Sequence, residues 1–78
     1  MWYKASWLAW WFYIDDQDHV WKVWENGQYR MTDLDADEVA NHCTRRDMPE
    51  FGSDVLRGID ALEKMGRIMA RQEVPCGS

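Results

Sequence analysis

The sequence predicts an α+β domain of order βββαα: a three-stranded antiparallel meander followed by two helices. Three observations predict it. The first 32 residues fall into short aromatic and β-branched runs divided by Asp and Gly turns. An Asn-Gly pair at 26–27 separates two of those runs. Beyond residue 33 the apolar period lengthens to that of a helix, behind a helix-start pattern.

Residues 5–14 (ASWLAWWFYI) are expected as the first strand, closed by the loop DDQD at 15–18. Residues 19–25 form the second strand and 28–32 the third. A two-residue type I′ turn at Asn26-Gly27 sets Trp24 against Tyr29, Val23 against Arg30 and Lys22 against Met31. A four-residue loop at 15–18 sets Ile14 against His19, Phe12 against Trp21 and Trp10 against Val23. One face then carries Trp7, Ala9, Trp11, Tyr13, Val20, Trp24, Tyr29 and Met31, interrupted by Lys22. The other carries Leu8, Trp10, Phe12, Ile14, Trp21 and Val23, with His19, Glu25, Gln28 and Arg30 around it. Both faces are apolar, so something must cover each.

The first helix is expected over 35–46. Asp35 is its N-cap, Glu38 closes a capping box, and Leu34 and Val39 form the hydrophobic staple. Its stripe is Ala36, Val39, Ala40 and Cys43. Pro49 and Gly52 break the chain. The second helix is expected over 53–73, with a stripe of Val55, Ile59, Leu62, Gly66 and Met69, and a tail at 74–78. Gly66 on the stripe reads as close packing against a Trp; the sequence supplies no reason for Gly58. Placing both helices on one face follows the tendency of sequential elements to be neighbours, and leaves the second aromatic face bare. One helix on each face is the alternative and covers both.

At 78 residues the chain is one domain and buries only roughly 60% of its unfolded surface. Six tryptophans, all within the first 24 positions, supply large buried area to compensate. Fourteen acidic against nine basic residues give a net charge of −5. That balance argues against direct nucleic-acid binding and favours a basic partner. Two cysteines, Cys43 and Cys76, make no disulfide framework and fit a reduced cytoplasm. The apolar run at 5–14 is too short to span a bilayer and has no cleavage site, so a soluble, non-membrane protein is expected.

No catalytic motif emerges. DLDADE at 33–38 alternates acids as a calcium loop does, but Glu38 and Thr44 stand where such a loop needs Gly and Glu. His19, His42, Cys43 and Cys76 lack zinc-ligand spacing. His42 and Cys43 are adjacent, and neighbours on a helix do not face each other. A non-enzyme without metal or cofactor is expected. Two acidic clusters fall at one end of the meander: Asp15, Asp16 and Asp18 in the first loop, and Asp33, Asp35, Asp37 and Glu38 after the third strand. With Trp10, Phe12, Trp21 and Val23 at the centre of the bare face, they are the expected partner-binding residues.

The hairpin VWENGQYRM, the helix start LDADEV and the amphipathic run LRGIDALEKMGRIMARQE span roughly half the chain. In these the chain resembles the small acidic inhibitors of the anti-CRISPR kind encoded by bacteriophages. The resemblance implies a non-catalytic protein that docks on a Cas protein or a Cascade-type surveillance complex, some members offering acidic side chains to a DNA-binding channel. It carries over no residues. The expected function is therefore a binding module, an inhibitor or regulator of a host complex with a basic, nucleic-acid-binding surface. The alternative is a homodimer joined through the Trp-rich face.

Overall fold

The computed structural model describes residues 1–66. The fold is α+β, with an antiparallel sheet and two helices, but the sheet has five strands instead of three. The elements are β1 (Trp2–Lys4), β2 (Trp11–Ile14), β3 (Val20–Val23), β4 (Tyr29–Thr32), α1 (Ala36–His42), β5 (Thr44–Arg46) and α2 (Gly52–Lys64). Their order across the sheet is β4-β3-β2-β1-β5. β4 and β5, on opposite edges, run the same way, and α1 carries the chain between them.

Three expectations about boundaries are corrected. The strand expected over 5–14 is cut back to β2 at its C-terminal end, because residues 5–10 turn out of the sheet, and a further strand, β1, precedes that turn. The Lys4 ammonium donates to the carbonyls of Ala5 and Leu8, and Leu8 N–H donates to Ala5 at 3.1 Å, which closes that turn. The helix expected over 35–46 ends at His42. Its last residues are β5, which pairs Thr44, Arg45 and Arg46 with Lys4, Tyr3 and Trp2. The second helix ends at Lys64, and Gly66 follows at φ 71°, so this glycine lies past the helix end, and among the described residues it packs against no Trp. The stretch expected to continue to 73 and the tail 74–78 lie outside the described residues.

Both hairpins slip by one residue from the expected register. β3 pairs with β4 as Val23↔Tyr29, Lys22↔Arg30 and Trp21↔Met31. The loop is three residues, 25–27, with Trp24 N–H on Gln28 O at 2.9 Å and Gly27 alone at positive φ (89°). That is the three-residue loop with a left-handed last residue, which needs one such residue where a type I′ turn needs two. β2 and β3 pair as Trp11↔Val23, Tyr13↔Trp21 and Ile14↔Val20, around a loop at 16–18 that ends in Asp18 at φ 64°. A slip of one exchanges faces. Trp21, Val23 and Tyr29 thereby join Trp2, Trp11 and Tyr13 on one face, while Val20 joins Tyr3, Phe12 and Ile14 on the other.

The two helices lie on opposite faces. α2 covers the first with Val55 and Ile59 buried against Trp2, Trp21 and Val23. α1 covers the second with Val39 against Tyr3, Phe12 and Val20. The arrangement with both helices on one face is therefore replaced by the alternative. Gly58 now has a reason: a Cβ there would stand 2.0 Å from the Tyr29 hydroxyl, so only glycine lets Tyr29 reach the helix axis. No described helix is long and apolar enough to cross a membrane.

Candidate functional site

The aromatic residues expected on a bare face are covered. Trp21 and Val23 are 3% and 0% exposed beneath α2, and Phe12 is buried beneath α1. Trp10 is half-buried, edge-on to Phe12 with centroids 6.4 Å apart and tilted against Trp24 at 6.3 Å. These four residues no longer share a face. The register slip moved Trp21 and Val23 under one helix, and left Trp10 and Phe12 with the other.

The acidic residues divide as well. Ile14, Val20 and Thr32 stand abreast, so the loop after β2 and the chain leaving β4 are at the same end of the sheet. Asp16, Asp18, Asp33, Asp35, Asp37 and Glu38 are exposed there. Asp15 instead turns inward. One carboxylate oxygen accepts the backbone N–H groups of Gln17 and His19, both at 2.9 Å. The other accepts the Trp21 indole N–H at 3.0 Å and lies 3.2 Å from His19 Nδ1. Asp15 thus organises its loop and ties it to the core. Asp35 is the N-cap residue of α1 by position, but its side chain makes no capping hydrogen bond, so the expected capping box does not close.

The turn at 5–8 creates the feature the sequence concealed. Trp7, placed by the expected strand in a sheet face, stands at the surface, 73% exposed. It forms one wall of a groove of about 220 Å³ between this turn and α1. Leu8, Phe12, Val39 and Cys43 line the groove with Leu34, and Asp35 and Glu38 stand on its acidic side. His42 completes the lining, its Nδ1 held 2.8 Å from Glu38 O. Burial pushes the Cys43 thiol up from its ordinary pKa, with the Lys4 ammonium opposing, so it stands protonated at neutral pH and is a weak nucleophile. On its other side Trp7 borders a more polar cleft of about 450 Å³ with Lys4, Ser6, Glu25 and Arg46.

Trp7 thus stands between two clefts, on a turn closed by the Lys4 ammonium and the backbone groups of Ala5 and Leu8. The second acidic cluster expected from the sequence supplies carboxylates to the same groove. Sequence reasoning missed Trp7 because exposure there depends on the break in the strand. The signal was Lys4, the first polar residue of an otherwise apolar run, whose ammonium folds back to close the turn. Among the described residues no three His, Cys, Asp or Glu side chains come together as a metal site would require. No protein-family model, curated protein or solved structure matches the chain.

Proposed function

We propose that the protein is a non-catalytic docking module that binds a basic, amphipathic segment of a partner protein in the groove beside Trp7. The observation that carries this reading is the exposed Trp7 over an apolar floor with Asp35 and Glu38 beside it. Anchors of this kind dominate binding energy when a partner desolvates them. The net charge of −5 adds steering toward a cationic partner. An inhibitor of a host complex with a basic, nucleic-acid-binding surface, as the anti-CRISPR resemblance implies, is the form of docking proposed. The surface differs from the one expected: Trp7 and α1 replace Trp10, Trp21 and Val23, and of the four expected aromatic-face residues only Phe12 lines the groove.

The test is selection of peptides from an unbiased display library by the full chain, followed by calorimetry on the enriched sequences. Enrichment of Lys/Arg-rich amphipathic peptides is expected. Trp7→Ala should weaken them by more than about 2 kcal/mol, and Asp35→Asn with Glu38→Gln should reduce affinity and its salt dependence together. Enrichment of acidic or neutral peptides, or unchanged binding in Trp7→Ala, overturns the reading.

A further inference from the structure

On the face that α1 covers, the register sets Lys22 directly opposite Arg30. Like charges so placed repel, and the pair costs stability. Neither side chain has a carboxylate partner among the described residues, where the ion pairs are His19–Asp15, Arg57–Asp54 and Lys64–Asp60. The chain has fourteen acidic residues, so the missing counter-charge is not a matter of supply. The Lys22 ammonium lies instead over the Trp10 ring, 4.5 Å from its centroid, and Trp24 lies against that ring. Lys22 and Arg30 open on a cleft of about 510 Å³ that Met31, Thr32, Asp33 and Leu34 also line.

We propose that this cleft binds the phosphate group of a small phosphorylated molecule. Two cations on adjacent strands match the several oxygens and the charge of one phosphate, and a guanidinium adds a forked pair of donors. Thr32 is not a ligand here, because its hydroxyl already donates to Val20 O at 2.8 Å. The volume lies within the range of about 300–1,000 Å³ usual for small-molecule sites. A polyanion is disfavoured, because beyond these two cations it would meet a surface of net negative charge. Asp33 in the same lining offsets one of the two positive charges, so the cleft carries a net charge of about +1 and suits a single phosphate group. Of the groove beside Trp7, this cleft shares only Leu34, so the two sites can fail separately.

The experiment is a titration of the full chain with adenosine monophosphate, inorganic phosphate and adenosine, read by tryptophan fluorescence and calorimetry. Both phosphates should bind saturably, and adenosine should not. Lys22→Gln with Arg30→Gln should weaken the nucleotide at least about tenfold. Arg57→Gln with Lys64→Gln, which removes the same charge from α2, should change it less than about twofold. Thermal melting gives a second readout. The nucleotide should raise Tm for the wild type and not for the Lys22/Arg30 variant, which should itself be at least as stable as the parent once the repulsion is gone. Any of four results overturns the proposal: no saturable phosphate binding, adenosine bound as well as its monophosphate, equal weakening by the α2 substitutions, or a single-stranded oligonucleotide or phosphoserine peptide bound far more tightly than the nucleotide.

Discussion

The two faces of the sheet are covered by helices of unequal length. Five strands at a spacing of about 4.8 Å make a sheet about 19 Å wide. α2, with thirteen residues, is about 20 Å long and can cross it; α1, with seven, is about 10 Å long and cannot. Beneath α2, Trp2, Trp21, Val23, Val55 and Ile59 close into one buried cluster. Beneath α1 only Val39 of the helix itself is buried, against Tyr3, Phe12 and Val20, and around that smaller cluster the face opens into the Trp7 groove and the Lys22–Arg30 cleft. The comparison teaches how helix length divides the two faces: the long helix closes its face, and the short one leaves part of its face open, where the proposed sites lie.

The sharpest way to break that comparison is to truncate one core residue on each face. Trp21→Ala removes the indole packed beneath α2 and should cost roughly 3–5 kcal/mol. That is a large part of the total expected for a chain this size, about 4–12 kcal/mol. Val39→Ala on the other face should cost only about 1.5 kcal/mol, the value of two buried methyl groups. Urea unfolding followed by circular dichroism measures both. Equal losses would mean that α1 carries as much of the fold as α2.

The next largest effect tests how the β2–β3 loop is fastened. Asp15→Ala leaves the Trp21 indole N–H and two loop N–H groups without their acceptor, for a loss of roughly 2–3 kcal/mol. Asp16→Ala, one residue on and exposed, should stay within about 0.5 kcal/mol. If the two variants unfold at the same urea concentration, Asp15 is another solvated acid of the loop.

Gly58→Ala probes how closely α2 approaches the sheet. In an exposed helix this change gains about 1 kcal/mol. Here the added Cβ meets Tyr29, and a net loss of about 1–2 kcal/mol is expected as the ring is pushed aside. Adding Tyr29→Ala should return much of the helix-propensity gain, which a double-mutant cycle resolves as coupling between the two positions. Gly58→Ala more stable than the parent would mean that the helix stands farther from β4.

How much of this was legible follows from what each residue needs. The meander of β2, β3 and β4, the two helices and the start of α1 at Asp35 were readable, because alternation, turn residues and helical spacing are local. That both faces are apolar was readable too, and it already required two covers. β1 and β5 were not: each has three residues, and Thr44, Arg45 and Arg46 are all exposed, so burial leaves no pattern on β5. The register was misjudged at both hairpins for one reason. Asn-Gly and an Asp-rich loop each admit turns that differ by one residue, and the choice is made by packing Trp21 and Tyr29 under a helix that lies far along the chain. Of the candidate site, the acidic end was visible as composition. The inward turn of Asp15 and the outward turn of Trp7 were not, since both depend on tertiary partners.

The smallest effect on stability is also the one that separates fold from function. Trp7 is mostly solvated, and the turn beneath it is held by Lys4 and backbone groups, not by the indole. Trp7→Ala should therefore leave unfolding within about 0.5 kcal/mol of the parent. An ordinary core tryptophan removed from the same aromatic segment costs several times that, as Trp21→Ala will show. Lys4→Met makes the complementary change: it keeps Trp7 and removes the ammonium that fixes the turn. Its cost should be about 2–3 kcal/mol, because two partly buried hydrogen bonds from a charged group are lost, and it should weaken peptide binding by freeing the turn before it docks. Loss of binding in both variants, with stability nearly intact in the first, would assign Trp7 to recognition. A Trp7→Ala protein that unfolds as easily as Trp21→Ala would place the indole in the core and close the groove as a candidate.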